Sequence, residues 1–310
     1  MVAAVWVPAP SGRQVLLAHG DQRAVVVEVG GGLRTYEVGG TPVLDGYGED
    51  ERCDASRGQP LLPWPNRVDG GLYELDGQTM ALALSEPERG NAIHGLTRWC
   101  SWEVLQASTA RALLGHVLRP QQGWAWTLEL RIDYRLGDTG LDVSLQARNR
   151  SASRAPFGAG FHPYLAAPTG RVDDLEVLVP AATRYVADER GLPVGTESVA
   201  GTELDLRAPT LLGDRRIDTA FTDLGRDAQG EAVVEVSDPR SGGSVQVRLG
   251  PAWTHVMVFT GDTIGERARR GLAVEPMSCP ANALRSGVGL VLLEPDEIWE
   301  GTWSITPGWL

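Results

Sequence analysis

Short runs of alternating apolar and polar residues dominate the chain, each bounded by turn signals. In "RAVVVEVGGGLRTYEVGG" two segments rich in β-branched residues flank Gly30, Gly31 and Gly32, which supply the positive φ of a tight reversal. That pattern predicts a hairpin. "WAWTLELRIDYRLGDTGLDVSLQARN" alternates with period two on both sides of "GDTG", and "EAVVEVSDPRSGGSVQVRLG" repeats the arrangement. No stretch of a dozen residues combines helical apolar spacing with caps, so the expected class is all-β. With no linker, composition shift or propeller-like repeat, residues 1–310 read as one large antiparallel sandwich or barrel-like domain.

Charge and composition narrow the partners. A net charge of -12 disfavours nucleic acid and anionic membrane, and the nearest basic cluster, Arg267, Arg269 and Arg270, also contains Glu266. The opening "MVAAVWVPAP" lacks a basic leader region and meets Pro8 and Pro10 early, so no cleavable signal is expected. No apolar run approaches the ~18 residues that span a bilayer. Cys53, Cys100 and Cys279 lie far apart without CxxC spacing, which argues against a disulfide framework or structural zinc and for a reducing cytoplasm.

Ten tryptophans stand against four phenylalanines. They either fill the core and anchor loops or stack on the C–H faces of a sugar. Trp124 and Trp126 sit two apart in an expected strand and so share a face, whereas Trp64, Trp99 and Trp102 adjoin polar segments that contain histidines.

Three segments place a reactive side chain beside rigid loop residues: "LLPWPNRVDGGLY" with Asn66 and Arg67, "NAIHGLTRW" with His94, and "GAGFHPYL" with His162. In the last, Gly158 and Gly160 permit unusual backbone angles and Pro163 locks the φ of the next position, a combination that aims a histidine. The plain alternatives are a hydrogen-bonded core role for each histidine and a surface ion pair for Arg67. His19, His116 and His255 have no such setting and read as structural or surface residues. A fourth segment, "GLAVEPMSCPANAL", delivers Glu275 at the end of an apolar strand into a loop stiffened by Pro276 and Pro280. That carboxylate is either a structural cap or a chemical group.

A metal triad of His94, His162 and Glu275 is disfavoured because the short-range ligand pair of such sites is missing. Nucleophile-elbow and P-loop motifs are also absent. Glycoside hydrolysis by two carboxylates remains open, with Asp218 in "DRRIDTAFTDL" as the second, unless Asp218 merely caps or turns the chain.

Taken in order, "PWPNRVDGGLYELDG", "AIHGL", "GFHPYL", "TRYVADERGLPVGTESVAGTELDLR", "RIDTAFTDL", "VFTGD" and "AVEPMSCPANAL" resemble the aldose 1-epimerase family, the galactose mutarotase-like proteins. The resemblance implies a β-sandwich of the supersandwich kind and interconversion of α and β anomers of a free sugar. It implies Glu275 as catalytic base, His162 as general acid, and Arg67, His94, Asp218 and Asn66 as substrate-holding residues, with no cofactor or metal. The chain departs from the galactose-specific pattern in having "PWPNR" and "HPYLAA", and looks more like the bacterial mutarotase-related branch. The expected partner is a small-molecule sugar, and the sequence leaves the particular aldose and the oligomeric state open. The alternative from another class is a non-catalytic carbohydrate sensor on the same fold, which needs sugar-binding groups but no paired acid and base.

Overall fold

The computed structural model describes residues 9–309, so the reading of the first eight residues as lacking a leader lies outside the described residues. The three expected hairpins form as antiparallel pairs: Gln22–Val27 with Leu33–Val38, Leu128–Gly137 with Gly140–Asn149, and Ala232–Ser237 with Ser244–Leu249. Alternation sets their faces. In Leu128–Gly137 the residues Leu128, Leu130, Ile132, Tyr134 and Leu136 are buried while their neighbours are more accessible. The described residues contain one short α-helix, Ala283–Ser286, and none of their helices is long and apolar enough to cross a membrane.

Two large antiparallel sheets make the sandwich. The nine-stranded sheet is centred on Gly140–Asn149, Ile298–Pro307 and Ser244–Leu249. The eight-stranded sheet runs through Pro193–Ser198, Ala181–Ala187, Asp218–Leu224, His255–Phe259 and Gly271–Met277 to Gly160–Phe161 and Pro60–Leu61, with Tyr164–Ala166 also paired to Gly271–Met277. Phe161 shows how they meet. Its ring lies 5.1 Å from that of Trp303 in the nine-stranded sheet and 5.8 Å from Trp253. Because side chains alternate along a strand, the next residue, His162, points to the opposite, outer face of its sheet.

That outer face is not left to solvent. Every residue of Gly271–Met277 is buried, on one side by the sandwich core and on the other by loops folded over the sheet. The continuous apolar run "GLAV" therefore marks a strand covered on both faces.

Several sequence expectations need correction. Trp124 and Trp126 precede the strand, which begins at Leu128; Trp124 closes a tight bridge with Gln121. Both indoles are nevertheless buried and meet edge to face at 5.1 Å. Gly158 and Gly160 do not adopt positive φ. Their lack of a side chain serves close packing, since a Cβ on Gly158 would lie 2.5 Å from the Cys279 sulfur and one on Gly160 would lie 2.9 Å from Pro65. Pro276 belongs to the strand, opposite Val256, and not to the loop after it. The reading of His255 and His19 as structural or surface residues stands, His255 being buried on the outer face of its sheet and His19 pairing with Asp138 near the surface.

Candidate active site

The register of the eight-stranded sheet assembles the site. Gly160 pairs with Met277 and Tyr164 with Ala273, so the intervening residues align His162 directly opposite Glu275. Val274 and Ser278 donate their N–H groups to Pro163 and Ala159 across the same seam. Residue 276 faces that seam too, but being proline it has no donor, which splits the pairing into two pieces around His162. Met257 pairs with Glu275 on the other side, and Asp218 pairs with Phe259, which pairs with Ala273. Thus Glu275, His162, Tyr164, Met257, Phe259 and Asp218 all project from the outer face.

These side chains floor a cavity of about 820 Å³ that also includes Asn66, Arg67, His94, Arg98 and Trp99. All six residues singled out from the sequence therefore line one cavity. Glu275 and His162 are both buried, with Glu275 Oε1 3.3 Å from His162 Nε2. Glu275 Oε2 and His162 Nδ1 are buried without a hydrogen-bond partner among the described residues. Tyr164 stacks beneath the His162 ring at 4.8 Å and 10°, and the Arg57 guanidinium lies 4.7 Å over the Tyr164 ring.

Burial governs the protonation of this pair. It pushes the Glu275 carboxyl well above the usual carboxylate range, aided by the like charge of Asp218 and opposed by Arg67. It pushes His162 down to about 3, with Arg57 and Arg98 acting in the same direction.

His94 is held by strained backbone. Both Asn66 and His94 have positive φ, 56° and 61°, an uncommon conformation for residues with a side chain. The His94 N–H donates to the Asn66 carbonyl at 2.9 Å, and the Asn66 N–H donates to His94 Nδ1 at 3.2 Å. Accepting at Nδ1 leaves the proton of the neutral ring on Nε2. Burial, then His162, Arg98 and Arg67, keep His94 well below its ordinary value and so neutral. Gly95 comes next because a Cβ there would lie 1.9 Å from the Leu62 carbonyl oxygen.

Arg67 is half-buried and donates two hydrogen bonds to Glu86, at 2.8 and 2.9 Å. It is an ion-pair partner, but inside the cavity wall and not on the open surface. Asp218 begins its strand and faces the cavity. Crowding by protein raises its carboxyl, with Arg67 and Arg89 opposing. No group of three His, Cys, Asp or Glu among the described residues is arranged to hold a metal ion.

Several lining residues have no assigned role in the sequence pattern. Tyr164 stands two positions after His162 in a strand and so had to share its face. Glu86, in the loop "SEPERG", carries no local signal of its partnership with Arg67. Among the tryptophans near the candidate histidines, Trp64 and Trp102 are buried in the core, whereas Trp99 is 54% exposed at the cavity rim with Arg52 5.6 Å over its ring.

Comparison with known proteins agrees with this architecture. A sequence model of the family described as Aldose 1-epimerase matches residues 13–306. The uncharacterized protein YihR of Escherichia coli (strain K12) is 34% identical over 285 residues, covering 92% of this chain and 90% of that protein. A maltose epimerase of Levilactobacillus brevis is 29% identical over 159 residues, 48% of this chain and 46% of the relative. A galactose mutarotase-like protein from Clostridium acetobutylicum superposes with a TM-score of 0.83 at 18% identity, covering 94% of each chain, a likeness of fold.

Proposed function

The chain belongs to the aldose 1-epimerase family, and from that premise we propose that it interconverts the α and β anomers of a free aldose by opening and reclosing the ring. Glu275 takes the proton of the C1 hydroxyl while His162 protonates the ring oxygen O5. Rotation about C1–C2 presents the other carbonyl face, and on closure the two groups exchange roles, so the pair is restored without a separate step. Arg67, neutral His94 through its Nε2–H, Asp218 and Asn66 hold the ring hydroxyls. The substrate is a small-molecule sugar met in the cytoplasm, and the chemistry requires no cofactor.

The observation that carries this reading is the placement of His162 opposite Glu275 at 3.3 Å on the cavity floor. The C1 hydroxyl oxygen and O5 are bonded to the same carbon, so the groups that serve them must stand side by side. A non-catalytic sensor has no need of a buried acid and base at that spacing. The test is NMR exchange between anomers across a panel of free hexoses and pentoses, before and after EDTA treatment. At least one aldose should exchange well above its spontaneous rate under both conditions. Binding without acceleration across the panel would establish the sensor, and a stoichiometric metal whose removal abolishes exchange would overturn the mechanism.

The pair also predicts a pH profile. Between the lowered value of His162, about 3, and the raised value of Glu275, the two groups hold one proton between them. The working form, carboxylate beside imidazolium, has the same proton count as the resting form, carboxylic acid beside imidazole. A second proton on the acid side, or loss of the only one on the alkaline side, removes the working form. A plot of kcat/KM should therefore be bell-shaped, its acid limb near pH 3 and its alkaline limb above the ordinary carboxylate range. An acid limb at ~4.3, the ordinary glutamate value, with no alkaline fall would contradict a shared proton.

A further inference from the structure

A general acid needs its ring held, and the usual device is a hydrogen bond at the nitrogen that does not react. His162 lacks one. Its Nε2 faces Glu275 at 3.3 Å, and its Nδ1 is buried without a hydrogen-bond partner among the described residues. Packing therefore fixes the plane of the imidazole: it lies nearly parallel to the Tyr164 ring, at 4.8 Å and 10°, and meets the His94 ring edge to face at 5.4 Å and 74°.

Tyr164 is held in turn. The Arg57 guanidinium lies 4.7 Å from the centre of its ring. Arg57 is itself buried and anchored, donating from Nε to Asp54 at 3.2 Å and from Nη1 to the carbonyl and the carboxylate of Asp45. Asp45 fastens both layers, because its N–H donates to the Tyr164 carbonyl at 2.9 Å. The segment that carries Arg57 also grips the backbone of His162: the Gly58 N–H donates to the His162 carbonyl at 2.8 Å, and the His162 N–H donates to the Gln59 carbonyl at 3.1 Å. Tyr164 contributes mainly its ring, since its hydroxyl reaches the Ala55 carbonyl only at 3.4 Å. Apolar residues often replace a buried ion pair without loss of stability, so stability alone does not explain a guanidinium here.

We propose that Tyr164 and Arg57 are positioning residues for the general acid: Tyr164 sets the plane in which His162 presents Nε2 to O5, and Arg57 holds that ring in place while its charge drives the imidazolium proton onward to the sugar. The assignment rests on the anomeric exchange proposed above. Being 4.7 and 4.8 Å from the centre of the Tyr164 ring, the guanidinium carbon and the centre of the imidazole are at most about 9.5 Å apart, close enough for a fixed charge in a water-poor site to bear on proton transfer. Among the other groups around His162, the Glu275 carboxylate favours the imidazolium, Arg98 opposes it with Arg57, His94 is neutral, and Asp45 and Asp54 offset part of the Arg57 charge.

Anomeric exchange kinetics in variants separate the two parts. Tyr164→Leu, which removes the flat ring, should lower kcat about tenfold with KM changed less than about twofold, and Tyr164→Phe, which restores the ring, should recover most of the loss. Arg57→Met combined with Asp45→Asn removes the charge without leaving a buried carboxylate unpaired. It should raise the acid limb of kcat/KM by about half a pH unit or more, whereas Arg57→Lys, which keeps the charge, should not. The NMR shifts of the His162 ring nitrogens at neutral pH supply a readout independent of turnover: they should move toward imidazolium values in the charge-free variant and stay near wild type in Arg57→Lys. Equal losses in Tyr164→Leu and Tyr164→Phe, or a loss confined to KM, overturn the role of Tyr164. An acid limb and nitrogen shifts that ignore the charge overturn that of Arg57. Should the charge-free variant not fold, the Tyr164 pair alone decides. If no aldose is turned over yet the nitrogen shifts follow the charge, the coupling of Arg57 to His162 stands and the catalytic reading falls.

Discussion

Glu275→Gln is expected to lower anomeric exchange by ~10²-fold or more, because it removes the only proposed acceptor for the C1 hydroxyl proton while keeping the side chain's size and much of its hydrogen-bonding capacity. The loss should fall on kcat, with sugar affinity nearly unchanged. Stability separates this from a structural effect. Burial raises the Glu275 carboxyl in the folded protein, so its contribution to stability is full below the unfolded-state value and is lost as pH rises through the folded-state value. A neutral amide at this buried position should therefore leave the melting temperature at neutral pH unchanged or higher. Polarimetry or NMR exchange gives the first measurement and thermal unfolding the second. Near-normal exchange in a well-folded variant would place the base elsewhere.

His162→Asn should reduce exchange comparably, and the double variant Glu275→Gln with His162→Asn should be scarcely worse than either single one. The reason is mechanistic. A base at C1–OH and an acid at O5 act on one ring-opening step, each typically worth ~10²–10⁴ in rate, so losing one leaves the other little to do. Independent roles would instead make the losses multiply. His162 also stacks on Tyr164 and opposes Glu275 across the seam. Sugar binding must therefore be measured in the same variants. A fall in affinity that accounts for the whole loss of kcat/KM would make His162 a binding residue, not the acid.

Much of the fold and site is legible in the chain alone. Alternation at period two foretells the hairpins at Gln22–Val38, Leu128–Asn149 and Ala232–Leu249, since one face of each strand is buried and any slip would expose it. The ordered motifs name the family and point to Glu275, His162, His94, Asn66, Arg67 and Asp218, residues from five separate strands or loops that line one cavity. Local pattern is less reliable where packing sets the backbone. The glycines of "GAGF" serve close approach to Cys279 and Pro65, and Pro276 sits inside a strand because the seam beside it tolerates a missing donor.

What the chain determines by itself is the set of local preferences: which positions alternate, where it turns, and which side chains carry chemistry. These arise from neighbours in sequence, whose spacing is encoded directly. The tertiary structure alone decided the rest. Register between distant segments set His162 opposite Glu275, burial under covering loops shifted their proton affinities in opposite directions, and Glu86 reached Arg67 across 19 positions. Those properties depend on the electrostatic environment and on cross-strand alignment, which arise only when residues far apart in the chain exclude water from one another.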